Sequence, residues 1–69
     1  MTAIFGKDAC PYTQAALDDY KGRGVQVEYF NVKKSARDLD RMLALNGGRR
    51  RVPTIVAEDG TVTVGFGGT

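Results

Sequence analysis

The sequence predicts one small α/β domain with the element order β-α-β-α-β-β and a mixed four-stranded sheet. Three observations predict it. A short apolar run at the start is followed by residues at helical spacing. This alternation then repeats, and the last third carries a hairpin signal at Glu58-Asp59-Gly60. A helical crossover makes the first two strands parallel, and a tight hairpin makes the last two antiparallel. The 69 residues form one domain, residues 1–69.

The first half of the chain predicts strand, helix and strand. The first strand is Thr2–Phe5, and the first helix is Pro11–Lys21, ended by Gly22 and Gly24. In Val25–Val32, apolar and polar residues alternate, which is typical of a strand. The apolar residues at helical spacing in the first helix are Ala15, Ala16 and Tyr20.

The second half predicts a helix and a hairpin. Ser35 is the expected N-cap, Asp38 lies in the first turn, and Gly47-Gly48 ends the helix. Thr54–Ala57 and Thr61–Val64 are the hairpin strands. The apolar stripe of the helix is Leu39, Met42, Leu43 and Leu45–Asn46, and we expect Phe5, Phe30 and Leu39 in the core.

Composition excludes several classes of function. The net charge of +2 does not indicate nucleic-acid binding, and no apolar run is long enough to span a membrane. The start lacks the pattern of a signal peptide. One cysteine and no histidine exclude a disulfide framework and argue against a zinc site within the chain. Together these features favour a reducing, cytoplasmic setting.

The single cysteine has the setting of a reactive thiol. Cys10 follows the first strand and begins the first helix, where unpaired N–H groups favour an anion such as a thiolate. Pro11 suits the first helical position, because its missing N–H has no partner there. Lys7 adds a cation near the sulfur. The alternative is a buried cysteine that serves only as a small apolar residue.

Three segments resemble the glutaredoxins, small thiol oxidoreductases with the thioredoxin fold. They are Cys10-Pro11-Tyr12-Thr13, Arg51-Val52-Pro53-Thr54 and Gly65-Phe66-Gly67-Gly68. The resemblance implies a thioredoxin-like fold and a cis Val52-Pro53 bond facing the cysteine. In this chain Thr13 stands where many glutaredoxins have a second cysteine, and Arg51 stands where threonine is common.

The resemblance also implies a function, a glutathione-linked thiol–disulfide oxidoreductase that acts on protein disulfides with one cysteine. The expected catalytic residues are Cys10, Lys7, Pro11, Tyr12 and Thr13. The residues expected to bind glutathione are Arg51, Val52, Pro53, Gly65, Phe66, Gly67 and Gly68. No resident metal is expected. Two other functions stay open: a dimeric carrier of an iron–sulfur cluster with glutathione, and a redox-inactive adaptor.

Several of these residues have structural alternatives. Arg49 and Arg50 are equally consistent with a solvated loop, and Arg51 is less so. Tyr12 is equally consistent with a half-buried structural position. The Thr13 hydroxyl is as suited to the helix backbone as to the Cys10 sulfur. Lys33 and Lys34 are expected to be solvent-exposed residues just before the second helix.

Glutaredoxins continue into a final helix that is absent from this sequence. We therefore expect one sheet face to lack a cover, and an exposed apolar patch of that kind favours a homodimer. The segments Ile4–Asp8 and Gly65–Thr69 also resemble a group of short glutaredoxin-like selenoproteins. That resemblance implies a selenocysteine or cysteine beyond Thr69, able to pair with Cys10. The alternative is that Thr69 is the natural end.

Overall fold

The computed structural model describes residues 1–68, which form a four-stranded sheet with a helix on each face. The sheet order is β2-β1-β3-β4, with β1 and β2 parallel and the other two pairs antiparallel. This arrangement confirms the predicted α/β fold with its mixed sheet. The elements are β1 (Thr2–Gly6), α1 (Pro11–Gly22), β2 (Val27–Asn31), α2 (Ala36–Asn46), β3 (Thr54–Val56) and β4 (Val62–Val64).

Most boundaries lie within one residue of the predicted ones, and β2 differs most. Val25 was expected in the strand, but its N–H donates to the carbonyl of Tyr20 at 3.0 Å. Val25 thus belongs to the turn that ends α1. At the other end, Val32 donates to the carbonyl of Gly6 at 2.9 Å just beyond the strand.

The α1 face of the sheet has a small buried cluster of Ile4, Ala16 and Ile55. Leu17 and Tyr20 pack against it from the same helix. Ala15, which was expected on this stripe, is exposed. One turn of helix advances 3.6 residues, so Ala16 and Tyr20 share the inward face and Ala15 lies beside it.

The α2 face has a second cluster, built on Phe5, Val32 and Met42. The rings of Phe5 and Phe30 stack with centroids 4.9 Å apart. Phe30 and Leu39 are half-buried rather than fully buried. The helix begins where the Ser35 hydroxyl accepts from the N–H of Asp38, and it ends at Gly47, which has a left-handed φ of 77°. These ends agree with the predicted caps.

The apolar stripe predicted for α2 is wrong at its end. Leu45 is 43% exposed, whereas the polar Asn46 is buried. The reason is that the Asn46 side chain bonds to the loop that follows the helix.

The sheet face that was expected to be uncovered is partly covered in the described residues. Phe66, beyond β4, packs against the cluster of the α1 face, and its ring centroid lies 6.5 Å from that of Tyr20. Ile55 beneath it is only 2% exposed. In residues 1–68 the exposed large hydrophobic side chains are those of Met1, Tyr12 and Leu45, on separate elements. Leu17, Tyr20, Val27 and Phe66 on this face are partly buried, and the homodimer stays a prediction. No helix in this part of the chain is long and apolar enough to cross a bilayer.

Candidate active site

Cys10 lies at the junction of the sheet and α1, as predicted. It is the N-cap of the helix, with extended backbone angles, and Pro11 occupies the first helical position. The N–H of Cys10 donates to the carbonyl of Lys7 at 3.2 Å, which closes the turn after β1. The Cys10 carbonyl accepts the first helical hydrogen bond from Gln14 at 3.1 Å. The sulfur therefore sits at the start of the helix, although only 8% of the residue is exposed.

The surroundings lower the pKa of the Cys10 thiol below its ordinary value. Burial alone would raise the pKa, but the Thr13 side chain and the N–H groups of Thr13 and Tyr12 act on the sulfur in the opposite direction. The charge of Lys7 also lowers it. Each of these groups stabilises the anion more than the neutral thiol. A lowered pKa increases the thiolate fraction at neutral pH, and the thiolate is the nucleophile.

Thr13 is fully buried, and its hydroxyl is unusual. Within residues 1–68, Oγ1 makes no hydrogen bond to a nitrogen or oxygen atom. A buried hydroxyl without a partner is costly, so its position needs an explanation. Its effect on the Cys10 pKa supplies one, because the sulfur is the polar group on which Thr13 acts.

Gly6 makes the position of Thr13 possible. A Cβ atom on Gly6 would lie 2.4 Å from Thr13 Cγ2 and 2.6 Å from Oγ1. Both distances are too short for real atoms, so any larger residue at this position would push Thr13 away. The last residue of β1 thus allows the first turn of α1 to approach the sheet closely.

Asp8 ties the Cys10 loop to the neighbouring strand. Its carboxylate accepts a hydrogen bond from the Tyr29 hydroxyl at 2.8 Å and lies 3.6 Å from the ammonium group of Lys34. The Gln14 side chain donates to the Asp8 carbonyl at 3.2 Å. Burial, and next the hydrogen bond to Asp8, raise the pKa of Tyr29 above its ordinary value, and the charge of Cys10 contributes. Tyr29 therefore remains a hydrogen-bond donor at neutral pH.

A second polar network holds the loop before β3. The Thr54 hydroxyl donates to the Arg51 carbonyl and accepts from the Asn46 amide, both at 3.0 Å. Asn46 also exchanges two hydrogen bonds with the backbone of Arg49, at 2.7 Å and 2.9 Å. In this loop the Val52-Pro53 bond is cis, as the resemblance implied.

The three segments that suggested the family lie close together. The N–H of Gly65 donates to the Pro53 carbonyl at 2.7 Å. A Cβ atom on Gly67 would lie 3.8 Å from the Tyr12 ring. Lys7 and Val52 line one cleft. The Cys10 loop, the cis-proline loop and the C-terminal segment are therefore neighbours in the fold.

Not every expected site residue has the expected placement. Arg50 lines the cleft with Lys7 and Val52, whereas Arg51 is not among its lining residues. Arg51 is exposed and contributes a backbone carbonyl to Thr54. Phe66 packs against the cluster of the α1 face, and its predicted contact with glutathione stays a prediction. Tyr12 is 41% exposed, and Gly67 and Gly68 are exposed with left-handed φ angles.

Four residues near the site had no clear signal in the sequence: Gly6, Asp8, Tyr29 and Asn46. Their roles arise from tertiary contacts, such as the one between Asp8 and Tyr29, which are 21 residues apart. The glycine at the end of β1 was the strongest available hint, because glycine within a strand often marks a close approach.

The described part of the chain offers no metal-binding cluster. No group of three or more His, Cys, Asp or Glu side chains there is arranged to hold a metal ion. Thr69, and any redox residue expected beyond it, lie outside the described residues.

The comparisons with known proteins agree with this geometry. The family model described as glutaredoxin matches residues 2–62. The crystal structure of the thioredoxin-like protein BC3987 superposes with a TM-score of 0.85 at 30% identity, covering 97% of this chain and 89% of that one. A mutant of the same protein gives the same score and identity, covering 97% of this chain and 88% of the mutant chain.

A more distant similarity supports the fold alone. The glutaredoxin-like protein NrdH-redoxin from Escherichia coli has a TM-score of 0.81 at 24% identity, covering 96% of this chain and 83% of that one. Among curated protein sequences, none matches this chain significantly. The match over residues 2–62, together with the fold and the cysteine at the start of α1, leads to one conclusion: the chain belongs to the glutaredoxin family, a family of thiol–disulfide oxidoreductases.

Proposed function

We propose that this protein is a glutathione-linked thiol–disulfide oxidoreductase that uses Cys10 as its only nucleophile. The observation that carries the proposal is the environment of the sulfur, which lowers the pKa of Cys10 despite its burial. A buried cysteine serving only as a small apolar residue would have no such set of donors and charge around it. The reducing setting required by a lone thiol favours the cytoplasm.

The proposed first step transfers glutathione to Cys10. The Cys10 thiolate attacks the glutathione sulfur of a protein–glutathione mixed disulfide. That S–S bond breaks, a Cys10–glutathione S–S bond forms, and the substrate leaves as a thiolate that takes a proton from water. Lys7 and the N–H groups at the helix start stabilise the attacking anion.

The second step regenerates the enzyme. The thiolate of a second glutathione attacks the glutathione sulfur bound to Cys10. Oxidised glutathione is released, and the electron pair of the broken bond returns to the Cys10 sulfur. A low pKa makes Cys10 a good leaving group in this step. Overall, the mixed disulfide and one free glutathione become the substrate thiol and oxidised glutathione, so no second cysteine takes part.

Glutathione is proposed to lie along Val52, Pro53 and the backbone of Gly65, Gly67 and Gly68. The support is the proximity of these segments to the Cys10 loop. Tyr12 borders this groove beside Gly67, and Pro11 shapes the helix start. Lys7 is the proposed partner of a glutathione carboxylate. Arg51, which the sequence favoured for that role, is the weaker candidate because its side chain lies outside the cleft.

The deciding experiment is reduction of the hydroxyethyl–glutathione mixed disulfide by glutathione, coupled to glutathione reductase. We expect the wild-type protein to accelerate the reaction and Cys10→Ser to leave only the uncatalysed rate. Equal rates with the two proteins would disprove the proposed chemistry. Amide shifts on titration with oxidised glutathione test the groove, because shifts confined to α2 would mean that the ligand binds elsewhere.

The electron donor is a separate question. The 30% identical relative is called thioredoxin-like, which makes a thioredoxin-type donor the second candidate. The same assay with thioredoxin reductase and NADPH in place of glutathione distinguishes them. Turnover of a disulfide substrate with that donor alone would replace glutathione in the proposal and keep Cys10 as the nucleophile.

A further inference from the structure

Asp8 lies inside the turn that carries the nucleophile. The Cys10 N–H donates to the Lys7 carbonyl at 3.2 Å, so Asp8 is the first of the two central residues of this turn. The Gln14 side chain donates to the Asp8 carbonyl at 3.2 Å, which ties the backbone of the turn to α1. A carboxylate two residues from a thiolate is unfavourable, because a like charge nearby raises the pKa of the thiol. The position of the Asp8 carboxylate therefore bears on the reactivity of Cys10.

Two side chains from another part of the fold hold the Asp8 carboxylate. The Tyr29 hydroxyl donates to one carboxylate oxygen at 2.8 Å, and the Lys34 ammonium group lies 3.6 Å from the other. Tyr29 belongs to β2, which is an edge strand, and Lys34 lies in the turn that follows it. Neither partner belongs to the Cys10 turn or to α1. The carboxylate is therefore drawn toward the β2 edge of the sheet.

The partners of Asp8 are themselves fixed by the sheet. Tyr29 is the register partner of Ile4, which is fully buried in the cluster of the α1 face. The Asn31 side chain accepts from the N–H of Lys34 at 3.2 Å, which shapes the turn after β2. Asp8 is thus bonded on one side to α1 through its backbone and on the other to β2 through its carboxylate.

The electrostatics of this corner agree with a restrained carboxylate. Burial is the largest cause that raises the pKa of Tyr29, the hydrogen bond to Asp8 is the next, and the charge of Cys10 also contributes. The Tyr29 hydroxyl is therefore close enough to the sulfur for the two groups to interact. Burial apart, the groups within residues 1–68 that act on the Cys10 pKa belong to Lys7 and the first turn of α1, and Asp8 is not among them. Held in this position, the carboxylate does not oppose the thiolate.

We propose that Tyr29 is a positioning residue for the nucleophile, because its hydroxyl holds the Asp8 carboxylate at β2 and away from the Cys10 thiolate. The inference rests on the proposed function of Cys10 and adds no step to the exchange. Without the hydroxyl, the carboxylate keeps only the exposed ion pair with Lys34, and such pairs restrain a side chain weakly. The carboxylate is then free to approach the sulfur, where it disfavours the anion.

The test is a double-mutant cycle, read from the pH dependence of Cys10 alkylation by iodoacetamide. It uses the wild type, Tyr29→Phe, Asp8→Asn and the double variant, because such a cycle isolates the coupling between two residues. Tyr29→Phe removes the hydroxyl and keeps the ring. The other charged or titratable side chains around the Cys10 turn stay in place in every variant; they are Lys7, Tyr12, Lys34 and Arg50. The matched control is Tyr20→Phe, the same change in a half-buried tyrosine of α1 that has no part in the network at Asp8.

We expect Tyr29→Phe to raise the pKa of Cys10 by about 0.3 to 0.7 at low ionic strength, the size that an exposed charge interaction gives. The increase should shrink as salt is added. In the Asp8→Asn background the same substitution should no longer change the pKa, because the charge that Tyr29 restrains is gone. Tyr20→Phe should keep the wild-type pKa.

Two results would overturn the proposal. One is a Tyr29→Phe protein with the wild-type pKa of Cys10. The other is an increase that persists in the Asp8→Asn background, because Tyr29 would then act on the loop through its general structure and not through the carboxylate.

Failure of the proposed function is seen separately, in the wild-type protein. A wild-type thiol with the ordinary pKa, or no turnover of the hydroxyethyl–glutathione mixed disulfide, would disprove the activated nucleophile and the role of Tyr29 with it. A lowered wild-type pKa and normal turnover, with no response to Tyr29→Phe, would disprove the role of Tyr29 alone.

Discussion

Thr13 and Thr54 are both fully buried, yet their hydroxyls differ in whether they form hydrogen bonds. Thr54 lies at the start of β3, and its Oγ1 both donates and accepts at 3.0 Å. Thr13 lies in the first turn of α1, and its Oγ1 has no nitrogen or oxygen partner in the described residues. The polar group on which Thr13 acts is the Cys10 sulfur.

The difference separates two kinds of buried polar residue. A satisfied hydroxyl such as that of Thr54 supports structure, since its loss leaves partners unpaired. An unsatisfied one lowers stability, and its presence is explained when a function uses it. Thr54 fixes the loop of the cis proline, and Thr13 adjusts the reactivity of the thiol.

The largest expected effect comes from disturbing the fit around Thr13. Gly6→Ala places a methyl group 2.4 Å from Thr13 Cγ2, so Thr13 and the start of α1 must move. We expect a loss of about 1–3 kcal/mol in the free energy of unfolding, typical of an overpacked core. Urea unfolding measures it. The matched control is Gly22→Ala, because a Cβ atom there has no neighbour within 4 Å. Equal stability of Gly6→Ala and the wild type would contradict the close approach.

Thr54→Val tests the satisfied hydroxyl. Valine keeps the shape but leaves the Arg51 carbonyl unpaired and removes one acceptor from the Asn46 amide. We expect a loss of about 1–2 kcal/mol in the free energy of unfolding. Thr54→Ser, which retains the hydroxyl, should recover part of it. A Thr54→Val protein as stable as the wild type would show that the network contributes nothing measurable.

Thr13→Val tests the unsatisfied hydroxyl, and it should change the pKa of Cys10 rather than the stability of the fold. No hydrogen bond to nitrogen or oxygen is lost, so we expect the free energy of unfolding to stay within about 0.5 kcal/mol of wild type, or to rise. The pKa of Cys10 should increase, because the Thr13 side chain lowers it. Ultraviolet absorbance of the thiolate follows this titration, with Thr13→Ser as the control. A destabilisation as large as that of Thr54→Val, with an unchanged thiol titration, would mean that the Thr13 hydroxyl supports the structure and does not adjust the thiol.

The smallest expected effect is a pH dependence of stability. The pKa of Cys10 is lowered in the folded protein, so the unfolded chain binds more protons between that pKa and the free-cysteine value of about 8.5. The free energy of unfolding should therefore rise with pH across this window and fall as the pH drops through the folded pKa. Cys10→Ser removes this contribution. An identical slope in the variant would show that the thiol is not perturbed by folding.

The sequence predicted the start of α1 and the cis bond, because local chemistry and a short motif decide them. Cys10, Pro11 and the strand before them define a helix start without tertiary information, and the motif around Val52-Pro53 correctly implied a cis bond. The contact between Gly6 and Thr13 depends on how closely α1 approaches β1, and no spacing rule gives that distance.

The error at Asn46 has a related cause. Asn46 was assigned to an apolar stripe because it follows Leu45 at the end of a helix. Its burial reflects a loop whose path brings backbone groups to the amide. The packing of Phe66 beside Tyr20 likewise depends on a distant contact that its motif did not indicate, while its assignment to glutathione stays a prediction.

The most direct test of the account is the rate of Cys10 alkylation by iodoacetamide as a function of pH, with Cys10→Ser as the blank. The account predicts a rate that reaches half its maximum clearly below the free-cysteine pKa of about 8.5, because Thr13, the helix start and Lys7 favour the thiolate. A half-maximal rate at or above that pH would contradict the claim that this chain has an activated nucleophile.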